Sequence, residues 1–229
     1  MKKKKIIILI CIVIVILVGI FLTLNKENKQ ELLLRNEISK LSQKDVTTDN
    51  YNLKTVTTGD YAKVEKVIKQ YYKEYSENIK TVFEILKNEN LKQILSAQNY
   101  KQDGPEFKAT KTLLQESKQK LNTSLENLTK ISDKDNIMKR IKQQNLDTYY
   151  EKLYKDLMLS GVSTQTFEQT KKNYEETSTK INKQLTTYEE IIKFLVDNKD
   201  KWSIKDDKIQ FKDADTLNKY NELIKKTLV

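Results

Sequence analysis

From Tyr61 to Leu86 the apolar residues Tyr61, Val64, Ile68, Tyr71, Tyr75, Ile79, Val82 and Leu86 recur at steps of 3, 4, 3, 4, 4, 3 and 4. An α-helix turns once in about 3.6 residues, so this spacing lines one helix face and fits no strand. A helix with such a stripe is marginal alone in water, so other elements must cover it. The following sequence supplies three more stripes. Phe107, Leu114, Ser117, Leu121, Leu125 (or Ser124), Leu128 and Ile131 line a second helix. Ile137, Met138, Ile141, Leu146, Tyr149, Leu153 and Leu157 line a third, and Phe167, Tyr174, Ile181, Leu185, Tyr188, Ile192 and Leu195 a fourth, with a period near 3.5. Only 4 glycines and 1 proline interrupt 229 residues. The expected fold is therefore all-α, an antiparallel bundle of about four long helices over residues 59–200. An open helical hairpin or an extended coiled coil is the rival architecture, and connections of a few residues favour the bundle.

The breaks are local. Thr58 or Asp60 caps the first helix, which runs to about Ser96. Ser96 to Pro105 is the clearest interruption, with Pro105 placed at the first turn of the second helix. Ser132 to Asp135 separates the second and third, Ser160-Gly161 ends the third, and Ser163 or Thr164 caps the fourth. Residues 201–229 change character. Trp202-Ser-Ile204 and Ile209-Gln-Phe211 alternate around the polar stretch Lys205 to Lys208, which predicts a β-hairpin with its apolar side chains on one face. A lone hairpin is marginal in water, so Trp202 is expected to plug the end of the bundle rather than lie open as an aromatic lid. A last helix, capped by Asp213 or Asp215, carries Leu217, Tyr220, Leu223, Ile224 and Leu228.

Ahead of the bundle, Ile6 to Leu24 is a run of 19 residues without charge. At about 1.5 Å per residue it matches a bilayer core of about 30 Å. It is longer than the apolar region of a cleaved signal, and no A-x-A follows it. Cys11 lacks the small residue expected before a lipidated cysteine. Lys2 to Lys5 lie before the run, whereas Lys26 and Lys29 after it are offset by Glu27 and Glu31. The positive-inside rule then places residues 1–5 in the cytoplasm, a transmembrane helix over 6–24, and everything later outside. Residues 25–58 read as a juxtamembrane helix to Lys44 and a linker from Asp45, rich in Thr, Asn and Asp.

The chain has 0 His and 1 Cys, which excludes Cys/His zinc sites, Ser-His-Asp and Cys-His catalysis and an internal disulfide. It carries no glycine-rich phosphate loop and no calcium-loop motif, so no cofactor, metal or catalytic residue is expected. The net charge is +10, and basic and acidic residues interleave without a long basic block. That argues against nucleic acid and leaves an anionic wall polymer or an envelope protein as partner. Adjacent carboxylates, Glu175-Glu176 and Glu189-Glu190, point about 100° apart on a helix and are surface charges rather than an acid/base pair. The Asn122 and Asn127 triplets match a glycosylation signal by composition.

The candidate binding residues are aromatic. Gln70 to Tyr75 and Thr148 to Tyr154 hold six of the 12 tyrosines. Tyr71, Tyr75, Tyr149 and Tyr150, together with Trp202, are the rings that could meet a sugar or a peptide; equally, their helical spacing suits a core with hydroxyls at its rim. The plan of an N-terminal membrane attachment followed by Tyr- and Lys-rich helices, as in Tyr149-Tyr150-Glu151-Lys152-Leu153-Tyr154, resembles the small helical cell-wall-binding lipoproteins of Gram-positive bacteria. That resemblance implies a non-enzymatic envelope protein that binds a wall polymer or a partner protein. The rivals are a glycan-cleaving enzyme using carboxylates and, with inverted topology, a cytoplasmic coiled-coil scaffold.

Overall fold

The structure, a computed structural model, describes residues 29–227. The expected span Ile6–Leu24, the basic residues before it and Leu228 lie outside the described residues. Among the described residues no helix is long and apolar enough to cross a membrane. The chain is mostly helical, with one short antiparallel sheet near its C-terminus. Its contacts divide it into two compact units. The first comprises residues up to Thr81 together with Ser124–Glu175, and the second Val82–Thr123 together with Glu176–Val229.

The first unit begins with α1 (Lys29–Ser42), whose buried face is Leu34, Ile38 and Leu41. Residues 45–58 are not helical, in line with their composition, but they are no free linker. Val46 and Tyr51 are buried, Ser76 Oγ donates to the Val46 carbonyl at 2.7 Å, and the Tyr51 ring stacks on Tyr72 at 5.8 Å. The segment is a strap laid along α2 (Gly59–Lys87). Gly59, at φ +60°, sits in the left-handed region that a side chain disfavours and lets the strap turn into the helix. The α2 stripe is buried from Tyr61 through Val64, Ile68, Tyr71 and Tyr75 to Ile79, as its spacing predicts.

The expected third helix is two. Residues Lys134–Lys142 form one (α6 below) and Thr148–Leu159 another (α7), with Asn145 at φ +49° between them. Asparagine tolerates this left-handed backbone, and Asp147 offers a fresh cap, its Oδ1 accepting from the Tyr149 N–H at 2.9 Å. The step of five from Ile141 to Leu146 marks the break in the sequence, while Ile137 and Ile141 on one helix and Leu153 and Leu157 on the next are all buried.

In the second unit α2 ends at Lys87 rather than near Ser96. Two short helices follow, α3 (Glu89–Lys92) and α4 (Ala97–Asp103), so the predicted break at Ser96 to Pro105 contains a helix. Asn88 and Ser96 cap them through their side chains. The next helix, α5 (Lys108–Ile131), starts three residues after Pro105. Asp103 caps it, accepting from the N–H groups of Ala109 at 3.1 Å and Thr110 at 2.7 Å. The long helix α8 (Thr164–Asp197) begins where Ser163 accepts from the Thr166 N–H, the cap the sequence indicates. Lys118 pairs with Glu189 and Asn122 bonds Asn182, so numbers rise along α5 as they fall along α8: within this unit the two run antiparallel. Ser117 on α5 and Thr177 and Thr187 on α8 are buried in this unit.

The hairpin forms, but the four-residue turn expected over Lys205 to Lys208 is tighter, because both lysines belong to the strands. Strands β1 (Trp202–Lys205) and β2 (Lys208–Phe211) pair antiparallel with Trp202 opposite Phe211 and Ile204 opposite Ile209. The connection is a two-residue turn, Asp206-Asp207, both with φ near +50°. That is the primed turn whose twist suits paired strands. The last helix, α9 (Ala214–Lys226), is capped by Asp213, and it buries Tyr220 but leaves Leu217 exposed. Trp202 is 9% exposed. Its Nε1 donates to the Leu195 carbonyl at 2.8 Å, and its ring lies 6.1 Å from Tyr100 and 5.9 Å from Phe107. Gly104 is obligatory beside it: a Cβ there would meet the ring at 2.8 Å and the Tyr100 carbonyl at 2.4 Å. Phe107, a bulky residue held at φ +51°, is fully buried against the same rings.

Removing the ring should therefore cost about 3–5 kcal/mol. Trp202→Ala is expected to lower the melting temperature clearly, and Gly104→Ala to lower it through overpacking by about 1–3 kcal/mol. Wild-type tryptophan emission should be blue-shifted and resist iodide. A fully quenched, red-shifted Trp202 with no change in melting would contradict this packing.

Candidate functional site

The first unit holds the densest cluster of charge in the interior. Lys69 is 2% exposed and Glu65 0% exposed. The Lys69 ammonium has three N–H donors, and each finds an oxygen: Glu37 Oε1 at 2.6 Å, Glu65 Oε1 at 2.7 Å and the Lys54 carbonyl at 2.5 Å. Glu65 in turn accepts from the Val56 and Thr57 N–H groups at 2.9 Å and from Thr57 Oγ1 at 2.6 Å. Burial alone would raise the Glu65 carboxyl, but the bonds from Lys69 and Thr57 and the strap N–H groups outweigh it and hold it below its ordinary value. Burial would likewise lower Lys69, and the two carboxylates outweigh that and raise it. Both groups stay charged. A general acid needs a carboxyl pushed upward, so this is a clamp on the strap rather than an acid/base pair.

The tyrosines divide. Tyr71 and Tyr75 lie in the core, stacked at 6.3 Å, with the Arg140 guanidinium 5.7 Å from the Tyr71 ring and Tyr174 donating to the Tyr75 hydroxyl at 3.3 Å. Burial pushes the Tyr174 hydroxyl up to about 12 and raises those of Tyr71 and Tyr75 as well. These rings offer no face to a ligand. Tyr149 is exposed and Tyr150 half-buried. Both meet Tyr61 edge-on, at 6.3 and 5.1 Å; the Tyr149 hydroxyl donates to Glu31 and lies 3.1 Å from that of Tyr61. Trp202 belongs to the second unit and is packed there.

The second unit carries a cleft that sequence reading missed. It has a volume of about 390 Å³ and lies among α3, α4 and the start of α5. Its floor is apolar, from Ile94, Ala109 and Leu113, and its walls are amides: Asn90, Gln93, Gln98, Asn99 and Gln102. Asn99 is fixed by bonds to the Ile94 carbonyl and Thr110 Oγ1. The side chains of Asn90, Gln93, Gln98 and Gln102 make no hydrogen bond to any described residue, so their donors and acceptors face solvent. Neither lysine nor arginine lines the cleft, and its one acid, Asp103, is committed to capping α5. A second cleft of about 460 Å³, in the same unit, is lined by Asn182, Lys183, Thr186, Thr187, Glu190 and Lys226, and an ion pair of 3.0 Å between the last two crosses its wall. Among the described residues no group of three or more His, Cys, Asp or Glu converges to hold a metal. The signal for the amide cleft was present as the run of Asn and Gln from Asn88 to Gln102, but it points to a cleft only once α2 is known to stop at Lys87. Comparison of the chain with protein-family models, with curated proteins and with solved structures finds no match.

The clamp makes a pH prediction. A carboxylate held below its ordinary value near 4.5 contributes stability that is complete above 4.5 and lost as pH falls through the folded value. A lysine raised above 10.5 contributes stability that is complete below 10.5 and lost as pH rises through its folded value. The melting temperature should be level from about pH 6 to about pH 9 and fall below 4.5. Lys69→Met strands two carboxylates and should cost about 3–5 kcal/mol across that plateau, with a shallower acid limb. An unchanged melting profile would contradict the clamp.

Proposed function

We propose that this chain is a single-pass membrane protein of a bacterial envelope whose helical part lies outside the cytoplasmic membrane, where it binds a wall polymer or a partner protein and catalyses nothing. The observation that carries the reading is the amide-walled cleft. An amide offers both a donor and an acceptor, which suits the hydroxyl and acetamido groups of a glycan or the backbone of a peptide. The absence of cations from the walls favours an uncharged stretch of ligand over a phosphate, while the excess of 38 Lys and Arg over 32 Asp and Glu after residue 5 supplies longer-range attraction to an anionic polymer. Every carboxyl with a displaced titration, from Asp45 and Glu65 to Glu106 and Asp213, is displaced downward, which suits binding and structure better than proton transfer. The topology rests on Lys2 to Lys5 and the uncharged run Ile6 to Leu24.

Two experiments test this. Protease added to intact spheroplasts should remove the helical part, and full protection would overturn the topology. Full-length protein in detergent should bind purified wall glycan, and Gln98→Ala with Gln102→Ala should weaken binding about tenfold, the loss of two neutral hydrogen bonds at about 0.5–1.5 kcal/mol each. Glycan turnover that disappears on changing a single carboxylate would replace the binding reading with an enzymatic one.

A further inference from the structure

The large apolar side chains left exposed among the described residues are Leu32, Leu33, Val56, Tyr149 and Leu217. Four of the five belong to the first unit, and contacts gather them at one place. Gln30 Oε1 accepts from the Thr58 N–H at 2.9 Å, two residues from Val56, so the first turn of α1 meets the end of the strap. Tyr149 donates to Glu31, so the start of α7 meets the same turn. Leu32 and Leu33 follow directly. The patch therefore comprises Leu32, Leu33, Val56 and Tyr149, with Tyr61 and Tyr150 packed behind Tyr149.

Covalent geometry says what the patch must meet. Only Asn25 to Asn28 separate the uncharged run from Lys29. Even fully extended, the path from Leu24 to Lys29 is about 18 Å. Wherever that run ends, the first turn of α1 and its partners cannot be far from it. The polar margin on each side of a bilayer is about 5–8 Å thick, so a modest tilt brings these side chains into it. Tyrosine at headgroup depth and leucine just below it are the residues that margin favours. Of the acids around the patch, Glu31 is paired with Arg35 and Asp60 with Lys63, each at 2.7 Å, and Asp147 is engaged in capping α7. A tether this short also keeps the surface at high effective concentration, so a small patch suffices.

We infer that the face formed by Leu32, Leu33, Val56 and Tyr149 docks on the bilayer interface and fixes how the first unit stands on the membrane. The inference rests on the membrane anchorage proposed above. The test uses the full-length chain reconstituted in phosphatidylcholine–phosphatidylglycerol vesicles, with lipids brominated near the headgroup end of the acyl chain. Leu33→Trp and Val56→Trp add a ring at exposed positions. Thr48→Trp, on the exposed part of the strap that lies near Ser76, is the control. Trp202 provides the same background in all three. The emission added at 33 and 56 should be blue-shifted and lost to brominated lipid, and that added at 48 should not. Protein that floats with the vesicles while the rings at 33 and 56 stay red and unquenched would overturn the docking and leave the anchor standing. Protein that does not float would overturn both. A blue shift that follows protein-to-lipid ratio and ignores bromination would assign the face to a second copy of the chain and overturn the lipid reading.

Discussion

Everything in the first unit hangs on a lysine shut away from the surface. Lys69 sits in the interior with Glu65 and a carbonyl from the strap, and Glu37 reaches it from the half-buried side of α1. An isolated charge there would cost several kcal/mol, and the cost is offset only if every donor and acceptor is matched. The strap does the matching: its Val56 and Thr57 N–H groups complete Glu65, and its Lys54 carbonyl completes Lys69. A segment rich in Thr, Asn and Asp buries only a few apolar side chains, Val46 and Tyr51 among them. It is held here because a buried ion cluster requires its backbone. Glu37, from α1, closes the third side, so α1, the strap and α2 are fastened at one point.

The second unit solves a different problem with different chemistry. Its corner is aromatic and almost uncharged. Trp202, Tyr100 and Phe107 pack around a glycine, and Tyr220 joins them through a 2.9 Å bond to the Tyr100 hydroxyl while its ring meets Phe211 at 5.0 Å. The strand-like stretch at the end of a helical chain exists because a hairpin can present Trp202 and Phe211 side by side, where a helix would turn them about 100° per residue apart. The helix α4, which the corner braces through Tyr100, also walls the amide cleft with Gln98, Asn99 and Gln102.

What could be read from residues alone was whatever depended on period. The α2 stripe, the Ser163 cap of α8, the Asp213 cap of α9 and the pairing of Trp202 with Phe211 all follow from spacing and cap chemistry. The strap did not, because its order comes from Glu65 and Lys69, between eight and fifteen residues away in sequence. A trace of it was present: Glu65, Lys69, Tyr72 and Ser76 form a second row at helical spacing beside the main stripe, and all four are buried. A helix buried over so wide an arc needs a second cover, and the strap and α1 are that cover. The break at Asn145 left one trace, the step of five from Ile141 to Leu146, which no single helix face accommodates. The tyrosines show the same limit: Tyr71 and Tyr149 both lie on apolar stripes, but Tyr71 is mid-helix under Arg140 and Tyr149 is in the first turn of α7, where less of the fold passes over it.

The strap is part of the fold and not a tether. Amide hydrogen exchange at Val56 and Thr57 reads this directly. If Glu65 holds those two N–H groups, they should be protected to the level of the α2 core around Ile68. Exchange at the rate of an unstructured peptide, with α2 still protected, would mean that the strap is free and that Lys69 finds its partners some other way.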